Sequence, residues 1–188
     1  MIFVIEHMDS KMWDWSLLEY AHISSIVGRM NLIFTNIHQG ASKLRVHGKV
    51  YVEHASAMGF DQTRVCILDS SGKETLQPSD ADKFDYFVFG GILGDYPEVG
   101  KSLKLLNSMS HARVRNLGTM QMSTDTAVLV AHKILNGIPM EKIRFKDHIE
   151  LDMGRHESVQ LPYRYVVKDG EPILPPGLVD MLKEQKGF

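Results

Sequence analysis

Phe84-Asp-Tyr-Phe-Val-Phe-Gly-Gly-Ile-Leu-Gly-Asp95 and Arg115-Asn-Leu-Gly-Thr-Met-Gln-Met-Ser-Thr-Asp-Thr-Ala127 are the two stretches on which the fold turns. Each reads as a strand running into a tight glycine loop, and the second then opens a helix. Loops of this kind at the ends of neighbouring strands make a backbone-walled pocket. In an open α/β sheet, that is where a cofactor is expected.

Outward from these loops, β-type and helical patterns alternate. Ile2 to Ile5 reads as a buried strand, and Ser10 as the cap of a helix to about Val27, with Gly28 as its stop. Asn31 to Ile37 is a second strand. Residues 38–63 show no clear period and read as an irregular or helical crossover. Arg64 to Asp69 is a buried strand, and Ser79-Asp-Ala-Asp82 resembles a capping box for one helical turn. Asp85 to Phe89 is the strand that ends at Gly90-Gly91. A helix over Glu98 to Met109, a strand over Ala112 to Arg115 and a helix over Ser123 to Leu135 follow. Alternation to residue 137 predicts an α/β fold, a mainly parallel sheet with helices on both faces. Ile143 to Phe145, Glu150 to Met153 and Tyr163 to Val167 then read as strands, and Pro175-Pro176 opens a last helix to about Glu184. The expectation is one domain over 1–188, with an α/β core over 1–142 and a strand-rich C-terminal extension over 143–188.

Composition narrows the function. The 188 residues are 44% hydrophobic, enough for a sizeable core. No apolar run approaches the ~18 residues of a membrane span, so no membrane partner is expected. Met1-Ile-Phe-Val-Ile-Glu-His7 reads as a first strand and not as a secretory leader. Cys66, the single cysteine, lies in an apolar run and reads as a buried, inert thiol. A cytoplasmic location follows as the expectation. Net charge is −2, from 21 basic and 23 acidic residues. That gives nucleic-acid binding no help. The acids Glu6, Asp9, Asp14 and Glu19 stand against Lys11 alone in the first twenty residues and suit a basic partner. Nine histidines form no H-E-x-x-H pattern, and one cysteine supplies no structural zinc set, so no metal is expected.

The loops themselves exclude phosphate grips. No lysine follows Gly94, so the Walker pattern is absent, and G-x-G-x-x-G is absent too. Ile92 and Leu93 inside the first turn, and Leu117 to Met122 in the second loop, make an apolar cleft lined by backbone. Such a cleft suits an adenosine without phosphates. The alternative is that these glycines only serve turns after strands.

Ile5-Glu-His-Met8, Leu18-Glu-Tyr20, Val65-Cys-Ile-Leu-Asp69, Leu76-Gln-Pro78, Asp82 to Asp95, Gln121 to Ala127, Leu161-Pro-Tyr-Arg-Tyr-Val166 and Pro172-Ile-Leu-Pro175 together resemble the SPOUT methyltransferases. The likeness is to the branch of protein arginine methyltransferases, represented in yeast, that modify a small-subunit ribosomal protein. It spans almost the whole chain, although the family's middle region is longer than residues 38–63. The resemblance implies a deep trefoil knot around the helix at 123–135. It implies S-adenosylmethionine (SAM) as cofactor, held by Gly90, Gly91, Ile92, Gly94, Leu117, Gly118, Met120, Met122, Ser123 and Thr124. It favours a monomer, with a homodimer as the other possibility.

Guanidinium methylation calls for carboxylates, which orient the arginine by paired hydrogen bonds and accept a proton. Asp95 follows the first loop, Glu6 ends the first strand and Glu19 lies in the first helix; these are the candidate catalytic acids. Asp125 reads as a first-turn helix acid. Arg115 faces either the methionine carboxylate or a structural acid. Of Trp13 and Trp15, one ring is expected in the core. The leading function is protein arginine N-methylation of a small-subunit ribosomal protein. The alternatives are tRNA or rRNA methylation on the same fold, and a non-catalytic ribosome-associated module.

Overall fold

The computed structural model describes residues 1–92, 102–154 and 157–184. Seven strands form one parallel sheet: β1 (Ile2–His7), β2 (Leu32–Thr35), β3 (Lys49–Val50), β4 (Val65–Leu68), β5 (Glu74–Thr75), β6 (Tyr86–Gly91) and β7 (Arg113–Asn116). Their spatial order is β3-β2-β1-β6-β4-β7-β5, with every neighbouring pair parallel. The inner strands β1, β4 and β6 are apolar nearly throughout, as strands covered on both faces must be.

The helices α1 (Asp14–Val27) and α4 (Thr124–Leu135) cover one face. There Phe3, Ile5, Phe87 and Phe89 meet Tyr20, Ile23, Val128 and Ile134. The helix α3 (Ser102–Ser108) covers the other, with Leu105 and Met109 over Val4, Ile67 and Val88. Each such side chain, fully buried, contributes about 1.5–3 kcal/mol. Thus α3, next after β6 among the described elements, lies on one face, β7 pairs with β4 beyond β6, and α4 follows on the opposite face. The segment between β4 and β6 lies against α4 through Leu76, Ala81 and Phe84.

Residues 38–63 contain the single helical turn α2 (Ala41–Leu44), β3, and 3₁₀ turns at Ala55–Ala57 and Gln62–Arg64. The first helix starts later than Ser10. Its N-cap is Trp13, in extended conformation, because residues 8–13 form a loop in which His7 Nε2–H donates to the Lys11 carbonyl at 3.1 Å. Trp13 is accordingly 49% exposed, and Trp15 is the ring that packs inward.

The last third is a hairpin of β8 (Phe145–Gly154) and β9 (Glu157–Lys168), extended by β10 (Glu171–Pro172) and backed by α5 (Leu178–Glu184). Two short predicted strands are one long one here. His148 adopts a left-handed φ of 51°, and the register slips between Asp147 and Ile149. Arg164 and Leu161 pair on either side of that slip, so Pro162, which has no N–H to give, falls within the bulge. The hairpin's inner face, Ile149, Leu161 and Tyr165, packs on Leu178 and Leu182 of α5 and on Trp15 and Leu18 of α1.

Candidate active site

The first loop is built on the end of β6. Gly90 pairs in register with Glu6 and Gly91 with His7, and the Met8 N–H donates to the Gly91 carbonyl at 3.0 Å. A Cβ at Gly91 would overlap the Tyr20 hydroxyl and lie 3.0 Å from Ile5 Cγ2. That hydroxyl donates to His7 Nδ1 at 2.8 Å. Burial holds the His7 ring below its ordinary pKa, so it is neutral and able to accept. Gly91 is therefore demanded by packing against Tyr20. A Cβ at Gly90 would meet only the flexible Met8 Sδ, at 3.1 Å, and Ile92. Gly94 and Asp95 lie outside the described residues.

The second loop, from Asn116 to Ser123, is organised by one side chain. Asn116 Oδ1 accepts from the Gly118 N–H and the Thr75 hydroxyl, each at 3.0 Å, and Asn116 Nδ2 donates to the Gly72 carbonyl at 2.8 Å. Gly118 takes φ 90°, which favours glycine. Downstream, the Gln121 carbonyl accepts from the Arg164 N–H at 2.9 Å, and Met122 bridges to Arg164 of β9. Leu117, Gly118, Met120 and Met122 are left half-buried.

Beneath this loop, the start of α4 is polar and sealed. Ser123 is the N-cap; its hydroxyl donates to Asp125 Oδ1 at 2.7 Å. Asp125 is fully buried and also accepts from His22 Nδ1–H at 2.8 Å. Glu19 reaches in from α1 and accepts from Trp15 Nε1–H at 3.0 Å and from the Thr124 N–H and hydroxyl. Burial, reinforced by the Asp125 charge, pushes the Glu19 carboxyl well above its ordinary range.

Glu6 stands on the opposite face of the sheet. It is 4% exposed. Its Oε2 accepts from the Thr35 hydroxyl at 2.5 Å and the Ala55 N–H at 2.9 Å, and its Oε1 from His54 Nδ1–H at 2.5 Å. The structure thus separates Glu6 and Glu19, one under the α3 side and the other between α1 and α4. Glu6 forms the floor of a cavity of about 470 Å³ lined also by Met8, Asn36, His54 and Lys104. Met8 connects this cavity to the first loop through its contact with Gly90.

Arg115 is buried and committed to structure. It donates to Asp80 at 3.1 Å and pairs with Glu74 at 3.0 Å, clamping the segment between β4 and β6 to β7. Burial raises the Cys66 thiol to about 12, as an inert core residue requires. His54 and Asn116 escaped the sequence reading. His54 sits in the unperiodic crossover and carries no local signal. Asn116 precedes Gly118 at the end of a strand, a turn signature that was legible.

Residues 2–187 match the family model described as protein arginine N-methyltransferase SFM1-like. The Saccharomyces cerevisiae protein arginine N-methyltransferase SFM1 is 36% identical over 202 residues, 98% of this chain and 95% of its own length. The crystal structure of the yeast arginine methyltransferase SFM1 complexed with SAM superposes with a TM-score of 0.90 at 35% identity, covering 97% of this chain and 90% of that one. Trm10 from Thermococcus kodakaraensis, described as dual specific, shares the fold at a TM-score of 0.58 and 14% identity, over 76% of this chain and 96% of its own. The family model over nearly the whole chain, the 36% identity to the yeast enzyme and the superposition on its structure agree: the chain belongs to the SFM1-like protein arginine N-methyltransferase family.

Proposed function

We propose that this protein is a SAM-dependent methyltransferase that monomethylates an arginine of a small-subunit ribosomal protein in the cytoplasm. The observation that carries the reading is the pairing of an apolar, backbone-lined cleft with an acid-floored cavity joined to it through Met8. The cleft suits SAM. Residues 90–92 and 117–123 carry no basic side chain that would grip a phosphate or repel a sulfonium. When bound, SAM supplies the methyl group as an electrophile. Ile92, Leu117 and either Met120 or Met122 would hold its adenine between apolar side chains, Gly90 and Gly118 would admit it to the backbone, and Ser123 and Thr124 would close the far end.

The chain's own task is alignment and exclusion of water, since methyl transfer is an in-line displacement. Asp95 belongs to this reading as the acid that orients the guanidinium. The deep knot belongs to it as well, supported by the path from β6 over one face to β7 and back along the other as α4. So does the monomer, supported by the hairpin that covers Trp15 and Leu18 of α1; sedimentation tests it.

The deciding experiment incubates the protein with methyl-labelled SAM and ribosomes lacking the modification, then separates protein from RNA. Label in one small-subunit protein, at an arginine, is expected. Label in RNA alone overturns the reading. In the same assay Asp95→Ala keeps SAM affinity and lowers turnover about 100-fold; unchanged turnover removes Asp95 from the site.

A further inference from the structure

Glu6 is the wrong carboxylate to grip a guanidinium directly. Both of its oxygens are occupied, by Thr35, Ala55 and His54, and it is 4% exposed. What it does is fix a histidine. A carboxylate oxygen only accepts, so His54 Nδ1 carries the proton that reaches Glu6 Oε1 at 2.5 Å. In the neutral ring this leaves a lone pair on Nε2, at the other edge of an imidazole that is 64% exposed and lines the cavity. A buried acid, an oriented imidazole and an open face form the arrangement by which proteins make a proton acceptor at neutral pH.

We infer that His54 is the proton acceptor of the transfer reaction and Glu6 its positioning residue. The inference rests on the proposed arginine methylation. A guanidinium nitrogen forms the new N–C bond, the C–S bond breaks, and its electron pair stays on sulfur. The methylated nitrogen then holds one proton too many, and that proton passes to His54 Nε2. The product guanidinium keeps a single positive charge, and the imidazolium is paired with Glu6. Among the described residues, Lys104 of α3 lines the same cavity, Glu53 precedes His54 in sequence, and the His38 Nε2 meets Asn36 Oδ1 on the cavity wall at 3.0 Å.

His54→Gln and Glu6→Gln test this in the full-length protein. Nitrogen-15 NMR of the His54 ring in the ligand-free wild type should show the Nδ1–H tautomer. His54→Gln should lower kcat about 100-fold and leave SAM affinity unchanged. Glu6→Gln should lower kcat about tenfold and leave both SAM affinity and KM for the protein substrate unchanged, a split that loss of a merely structural acid would not give. The exposed ring makes misfolding of His54→Gln a minor concern, and thermal melting checks it. An Nε2–H tautomer, or a His54→Gln kcat within twofold of wild type on a labelled protein substrate, overturns the inference alone. Failure of the wild type to label any protein overturns the function and this role together.

Discussion

At the scale of single residues, the glycine loop and the acids divide into groups set by packing and groups left for chemistry. Gly91 belongs to packing, because a methyl there collides with the Tyr20 hydroxyl. Gly91→Ala should therefore destabilise the fold by roughly 1–3 kcal/mol through overpacking. Thermal melting should show a fall of about 5 °C. In a Tyr20→Phe background the same change should cost less, since the atom it strikes is gone; equal costs in both backgrounds would show that the hydroxyl is not the obstacle. Glu19 gives a prediction of opposite sign. Its carboxyl is raised by burial and by Asp125. Above the ordinary carboxyl range the folded state then binds more protons than the unfolded one, so stability falls as pH rises through that window. Glu19→Gln keeps one acceptor oxygen in the cluster and cannot ionise. It should raise the melting temperature at pH 8, with the gain shrinking toward pH 4.5. A gain that is constant with pH would rule out Glu19 titration as its source.

At the scale of elements, the second loop is shaped by Asn116, which holds Gly72, Thr75 and Gly118 together. Asn116→Ala removes three hydrogen bonds from the wall of the proposed SAM cleft, one of which joins β5 to β7. SAM affinity by calorimetry should fall about tenfold, close to 1.4 kcal/mol, with a smaller loss of global stability. Unchanged affinity would place the loop away from the cofactor. The elements that were legible in the chain are those whose burial is uniform or periodic: β1, β4, β6 and α4 follow from apolar runs and from the Ser123 and Gly137 boundaries. The illegible ones are set by distant partners. Residues 49–50 become a strand only because β2 offers an edge, and Val50 pairs there with Phe34. The start of α1 moved to Asp14 because His7 and Lys11 hold the preceding loop. The candidate site shows the same division. Glycine and acid positions are visible in a sequence, whereas the meeting of Glu6 with His54, 48 residues away, is a product of topology.

At the scale of the whole molecule, the hairpin is the back wall of the proposed cofactor cleft. Its strand β9 holds the second loop through Arg164, whose side chain is itself fixed by Asp147 at 2.7 and 3.0 Å and lies over Phe145. Tyr165, one residue on, is buried against the Ser123, Glu19 and Asp125 cluster. The same hairpin shields Trp15 and Leu18 of α1. Removing residues 143–188 should therefore do two things at once, although no strand of the parallel sheet is deleted. It should free the 117–122 loop and weaken SAM binding more than tenfold, since the ordering lost must be regained on binding. It should also expose the α1 face, seen as a red shift of tryptophan emission from Trp15 and as binding of a hydrophobic dye. Trp13, already half exposed, contributes little to that shift, so Trp13→Phe should preserve it and Trp15→Phe should remove it. A truncated chain that binds SAM as tightly as the full one would show that the sheet and α4 alone shape the cleft, and that the hairpin serves only to cover α1.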